Sequence, residues 1–263
     1  VKLLFLNVFF ISCIFTYGET VFEVGFNGKI SPKGKLVPEN IMLIGKPLEY
    51  CEGINGQALI IQAKPSKAVR FVFKNGLLPE QGSISFWVCP TDWNYADSKF
   101  HIFFNAHYYD KNSPEDNWGK DKTAHTRILI YKYGNKNIEK GGLALPLFYF
   151  KDNKVNWALN LPGAKMTDWK PGKWHFITFV WQQINNKPYC TYYIDGERTG
   201  IISKEFDFSG TAVLTVGGTW GDKGRTAIDE FKIYSEPLNK EQITQEFEEA
   251  LEAFYSKKAE KGE

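Results

Sequence analysis

From Thr20 to Tyr234 apolar residues recur in short runs with period two, and Gly, Pro, Asn and Asp separate the runs. That pattern predicts β-strands, because side chains on a strand point alternately to its two faces. In GSISFWVCP, Ile84, Phe86 and Val88 share one face, Ser85 and Trp87 share the other, and Pro90 ends the strand. TVFEVGF reads as the first strand and Asn27-Gly28 as the turn that closes it. The segment Lys29 to Gly45, with Pro32, Gly34 and Pro38, reads as a loop or irregular edge, after which Gly53 and Gly56 open an apolar strand. AVRFVF, KFHIFFNAHYY, RILIYKYG, WHFITFVW, CTYYIDG, AVLTVGG and AIDEFKIY follow as strands. GGLALPLFYFKDNKVNWALN reads as a hairpin turning at Lys151-Asp152-Asn153-Lys154, and Asp195-Gly196 is a tight turn. About a dozen strands with no long helix among them predict an all-β fold, a two-sheet antiparallel sandwich.

Only the C-terminus carries helical spacing. Ile243, Phe247, Leu251 and Phe254 form one apolar stripe, and Asn239 with Gln242 supplies a capping box. The stripe predicts a helix docked on the sandwich, followed by a flexible charged tail over residues 256–263. The polar stretch from Asp110 to Thr126 is long for a loop inside one domain, and loops of that length commonly carry function.

Composition agrees with β structure: 16% of the 263 residues are aromatic, which suits half-buried pleated surfaces and a large core. One sandwich absorbs residues 19–255, so a single domain is expected. A net charge of +2 gives no electrostatic case for nucleic acid or an acidic membrane. At the N-terminus Lys2, the apolar run Leu3 to Phe15 and the small residues before Glu19 match a secretory signal peptide over residues 1–18, with an uncleaved interfacial anchor as the alternative. The protein is therefore expected to be secreted or held at a cell surface or in a periplasm. Beyond that leader stand Cys51, Cys89 and Cys190, an odd number too widely spaced for a cysteine zinc site. Cys89 and Cys190 could face each other across the sandwich, or stay buried and unpaired.

WKPGKWHFITFVW, YYIDGERTG, LTVGGTWGD and AIDEFKIYSEPLNKEQI, with GINGQAL upstream, resemble the laminin-G-like jelly roll of the concanavalin A-like lectin/glucanase superfamily. The resemblance implies a jelly-roll sandwich for most of the chain and leaves activity open, because this scaffold serves binders, adhesion domains and hydrolases alike. Trp174 and Trp181 lie an odd number apart and so point to opposite faces, while His175, inside a strand without a nucleophile motif, reads as structural. Many members hold a structural calcium ion, which by position falls on Asp229 and Glu23, with carbonyls near Gly25 and Gly53. The alternative is that Asp229 caps a turn or pairs with a base such as Arg225.

Hydrolases on this sandwich carry alternating carboxylates on one strand face, E-x-D-x-E or E-x-D-x-x-E, where one acts as nucleophile and another as acid. This chain has neither motif, and G-x-S-x-G and H-E-x-x-H are absent too, so the reading favours a non-catalytic domain over a hydrolase built from distant loops. Aromatics beside loops suggest a carbohydrate site, since sugar C–H faces pack on rings while polar neighbours bond hydroxyls. The candidates are Trp93, Tyr95, His107, Tyr108, Tyr109 and Trp118, with Asp110, Asn117 and Arg127 as companions. Two partner classes stand: a glycan bound near Tyr108 to Arg127, or a surface protein engaged by the same jelly roll without a sugar site.

Overall fold

The computed structural model describes residues 18–45, 47–74, 78, 80–114, 123–133, 142–144, 147–151, 154–155, 166–203, 207–218 and 221–262. Nearly all of the leader, and the candidates Asn117 and Trp118, lie outside the described residues. In chain order the strands are β1 (Thr20–Val24), β2 (Asn40–Ile44), β3 (Glu49–Glu52), β4 (Gln57–Ala63), β5 (Ser66–Phe73), β6 (Gly82–Pro90), β7 (His101–Tyr109) and β8 (Thr126–Tyr133). They continue as β9 (Gly142–Ala144), β10 (Leu147–Lys151), β11 (Lys154–Val155), β12 (His175–Ile184), β13 (Lys187–Ile194), β14 (Glu197–Ile202), β15 (Thr211–Val216) and β16 (Arg225–Tyr234), followed by α1 (Lys240–Lys261).

The described pairings are antiparallel and form two layers. The first sheet runs β3-β4-β16-β6-β12-β13-β14, with β1 also on β16, and the second runs β2-β5-β15-β7-β8, extended by β9, β10 and β11. The short β4–β5 pairing, Gln62 to Lys67 and Ala63 to Ser66, carries the chain from one layer to the other. Two-residue turns with left-handed residues join β12 to β13 (Asn185 and Asn186, φ 52° and 58°) and β13 to β14 (Asp195 and Gly196, φ 52° and 77°). Such turns match the right-handed strand twist, as expected for Asp195-Gly196.

Alternation then sorts side chains by face. Phe22, Phe71, Phe86, Phe104 and Phe231 meet between the sheets, with Phe22 edge-on to Phe71 at 5.3 Å and Phe86 stacked on Phe231 at 5.8 Å. Trp87, Trp174, Phe176 and Tyr234 lie on the outer face of the first sheet, where the stripe Ile243, Phe247, Leu251 and Phe254 covers them. Trp181 points inward and Trp174 outward, and both are buried. The same sorting separates two cysteines: Cys190 joins the inner core and Cys89 the layer beneath the helix, and all three described cysteines are free thiols. The helix begins at the Asn239–Gln242 capping box. It continues through residues 256–261, within the segment expected as a tail. Lys261 and Lys258 reach Glu52 at 2.9 and 3.7 Å, and Gly262 closes the helix in the left-handed region.

One end of the sandwich is closed by four stacked rings. His101 lies on Trp93 at 4.3 Å, Trp93 on Trp169 at 6.2 Å, and Trp169 on His175 at 4.3 Å. His175 Nδ1 lies 2.8 Å from Asp195 Oδ2, and Asp195 also accepts from the Phe176 amide, which fits the structural reading of this histidine. His101 Nε2 lies 3.3 Å from Asp97, but burial outweighs that attraction and pushes its pKa down to about 4. A histidine held neutral in the fold and titrating near 6.5 when unfolded contributes stability that is full above pH 6.5 and is lost as pH falls toward 4. Melting temperatures measured from pH 7 to 4.5 should therefore fall more steeply in the wild type than in His101→Phe, which keeps a ring on Trp93 but does not titrate.

Candidate functional site

β16 is flanked along one edge by two different strands. Arg225 to Ile228 pair with β4 and Phe231 to Tyr234 pair with β1, while on the opposite edge the register with β6 shifts between Asp229 and Lys232. At that step Glu230 takes a left-handed backbone conformation, φ 48°, uncommon for a residue with a side chain. The gap between β4 and β1 opens there as a cleft of about 410 Å³, lined by Glu23, Val24, Gly25, Phe26, Asn27, Lys29, Ser31, Lys33, Asn55, Glu230, Phe231 and Lys232. Phe26 also sits at φ 48°, so two strained residues frame one cleft.

Two Asn-Gly turns interlock beside the cleft. Asn27 Oδ1 accepts from the Gln57 amide at 2.8 Å, and a Cβ on Gly56 would stand 2.0 Å from that oxygen. Asp229 turns inward beneath them and is fully buried. Its Oδ2 accepts from the Asn55 amide at 3.1 Å, its Oδ1 from the Glu230 amide at 2.9 Å, and the Ile54 backbone adds another bond. Burial pushes this carboxyl up to about 8, against the pull of those donors. Asp229 thus caps the 53–56 turn, the alternative open from sequence, while Arg225 pairs with Glu49 instead.

Glu230 turns the other way, its Oε1 only 3.0 Å from where a Cβ on Gly25 would lie. Lys232 Nζ donates to Glu246 Oε1 at 2.8 Å, and that oxygen also accepts from Tyr234 Oη at 2.8 Å, tying helix to sheet. Burial lowers the Lys232 pKa, but Glu246 outweighs it and holds the ammonium above the ordinary lysine value. Glu23 faces Lys33 at 3.7 Å. The cleft thus alternates cationic donors with carboxylate and amide acceptors, a surface suited to a ligand that both donates and accepts.

The residues expected to hold calcium do not share this cleft. Glu23 lines it together with three lysines, whereas Asp229 lies behind it with its oxygens engaged by backbone amides. Among the described residues no three His, Cys, Asp or Glu side chains group as a metal site. Calcium wants six to eight oxygens, backbone carbonyls among them, so Glu23 and Asp229 would supply only part of such a shell.

The expected sugar-binding residues separate into several environments. Trp93 is buried in the ring stack, with its Nε1 donating to Thr226 Oγ1 at 2.9 Å, so its ring is not a free platform. Tyr95 is half-buried beside it, and its amide donates to the Trp169 carbonyl. Tyr108 points into the core, and burial raises its phenol well above the ordinary value. His107, Tyr109 and Arg127 do come together, on the outer face of the second sheet, but are buried there. Arg127 Nε donates to Asn105 Oδ1 at 3.2 Å, and His107 stacks with Tyr109 at 6.0 Å. Arg70 and Thr215 join the same face, bonded at 3.4 Å. Asp110 is exposed just beyond β7. In sequence these positions share a place near strand ends or loops. Trp93 and Tyr108 are buried because large rings near an end are what closes a sandwich. Of the cleft residues, the sequence singled out Glu23 and the backbone near Gly25. The two Asn-Gly pairs, 27–28 and 55–56, were the signal that could have marked it.

A family model of the concanavalin A-like lectin/glucanases superfamily matches residues 66–244, well over half of the chain. The chain belongs to this superfamily. A search of curated proteins gave no significant match. Among solved structures, domain 4 of AbnA, an extracellular arabinanase from Geobacillus stearothermophilus in complex with arabinotriose, is 19% identical. It covers 87% of this chain and 98% of its own, with a TM-score of 0.54. The binding domain of botulinum neurotoxin serotype D/C is 15% identical over 88% of this chain, with a TM-score of 0.60. The binding domain of Paraclostridial Mosquitocidal Protein 1 is 16% identical over 87%, with a TM-score of 0.52. The chain spans about half the length of these two toxin domains, 52% and 51%. At such identities the likeness carries the jelly-roll fold alone. No helix among the described residues is long and apolar enough to cross a membrane.

The Asp229 geometry makes a direct prediction. Asp229→Ala strands buried amides without acceptors and should cost about 2–4 kcal/mol in urea unfolding, roughly the lost hydrogen bonds and the unsatisfied donors left behind. The wild-type melting temperature should not change when EDTA is added, and a fall on chelation would show that an ion is held despite this arrangement.

Proposed function

We propose that this superfamily member is an exported, non-catalytic glycan-binding domain, and that the cleft between β4 and β1, at the step in β16, is where the glycan sits. The observation that carries the reading is the cleft itself: about 410 Å³, open, and lined by donors (Lys29, Ser31, Lys33, Lys232) set among acceptors (Glu23, Glu230). Its volume falls in the range of small-ligand sites. A sugar hydroxyl donates one hydrogen bond and accepts others, so mixed lining of this kind can satisfy both halves of each hydroxyl. The strained backbone at Phe26 and Glu230 supports a ligand site, since strain of this kind concentrates where a surface is preorganised. The arabinotriose-bound neighbour lends support from the same scaffold. The absence of an alternating carboxylate motif from the sequence supports binding without hydrolysis.

The protein is to be screened on a glycan array, and the best ligand titrated by calorimetry. Lys29 and Lys33 are exposed, so their double replacement by alanine should leave the melting temperature near wild type while weakening binding at least tenfold, about 1.4 kcal/mol. Asp110→Ala, on the rim named from sequence, should bind as wild type does. Loss of binding in Asp110→Ala but not in the cleft variant would move the site to the 108–127 region. Release of reducing ends from the bound glycan would replace the binding reading with a hydrolase.

A further inference from the structure

The exposed strand edges of this molecule are not treated alike. On the first sheet, the outer strand β14 carries Glu197 and Arg198, and its pairing with β13 is broken by a bulge at Tyr192 and Tyr193. The other outer strand, β3, ends in Glu49 and Glu52. Glu49 is bonded by Lys67 and Arg225, and Glu52 by Lys258 and Lys261. Charges and bulges of this kind keep an edge from pairing with another chain. On the second sheet, β2 pairs among the described residues with β5 alone, over Asn40 to Ile44, and it has no charge, proline or bulge. Ile41, Met42 and Leu43 are 37%, 40% and 38% exposed, and nearby Val37 is 75% exposed. Three consecutive large apolar side chains are thus left on a strand whose remaining backbone groups face no protein partner among the described residues.

We infer that β2 is a self-association edge, pairing antiparallel with β2 of a second copy of this chain across a two-fold axis at Met42. The strand sequence selects that occupant. Reversed about Met42, Asn-Ile-Met-Leu-Ile places Ile41 opposite Leu43 of the second copy and Met42 opposite itself, so branched apolar side chains meet on one face. Asn40 then lies opposite Ile44 and no charge is buried. A two-fold contact uses the same patch twice, and a nearly palindromic uncharged strand is self-complementary. The two second sheets become one continuous sheet, which satisfies the outward backbone groups of both copies. Five residues a side make a small interface, so the dimer should dissociate on dilution.

Sedimentation velocity across roughly 1 to 200 µM, a span suited to a small interface, should show mass doubling toward the upper end. Met42→Lys puts a charge on the axis and should stay monomeric throughout with an unchanged melting temperature. Register is read by oxidative cross-linking in a Cys51→Ser background. Met42→Cys alone should give a covalent dimer, Ile41→Cys alone should not, and a mixture of Ile41→Cys with Leu43→Cys should. A monomer at every concentration overturns the inference, as does a dimer that survives Met42→Lys. Cross-linking of Ile41→Cys as efficient as that of Met42→Cys also overturns it. Glycan binding enters none of these readouts, so this inference and the reading of the cleft stand or fall separately.

Discussion

The irregular step in β16 at Asp229 to Lys232 governs much of what surrounds it. A regular strand would keep strict alternation through these residues and carry one partner strand along its whole edge. Here the register shifts, Glu230 turns into the left-handed region, and β4 gives way to β1 on the same edge. The step has two consequences with opposite chemistry. Asp229 is directed inward, where backbone amides hold its carboxyl group, and Glu230 is directed into open space between the flanking strands. The cleft therefore exists because one strand cannot be covered by one neighbour.

Burial of the first sheet on both faces sets the second requirement. Its inner face meets the other sheet and its outer face meets α1, so polar groups between the layers need partners. Glu246 meets that need from the helix, accepting from Lys232 and Tyr234 beneath it. Because Lys232 also lines the cleft, the same side chain that anchors the helix bounds the proposed ligand site. Helix docking and cleft shape are thus coupled through one ammonium group. The second sheet is different: its core strands are buried, while its outer strand β2 remains apolar and exposed.

Aromatic residues show why a site is harder to read than a fold. Trp93, Tyr108 and Trp118 carry the same sequence signal, a large ring near a strand end or loop. Trp93 stacks between His101 and Trp169, and Tyr108 packs against Phe208. Ring identity does not encode whether a face is covered, since the covering residues come from distant strands. Conversely, Lys29, Ser31 and Asn55 are ordinary surface residues in sequence and become neighbours only where the first turn and the 53–56 turn interlock.

By itself the sequence determined most of the strands, their facing and the terminal helix, but not β2, which lies in the segment that reads as a loop or irregular edge. Alternation in Ile84, Phe86 and Val88, the Asp195-Gly196 turn and the stripe from Ile243 to Phe254 are local patterns, and local geometry is fixed by neighbours a few residues apart. Tertiary structure alone decided that the helix runs on to Lys261, because Glu52 lies some two hundred positions away along the chain. It also decided that Asp229 serves a turn and that Glu230 faces a cleft. Those outcomes depend on which strands share the edge of β16, a contact among residues far apart in the chain that period and composition do not record.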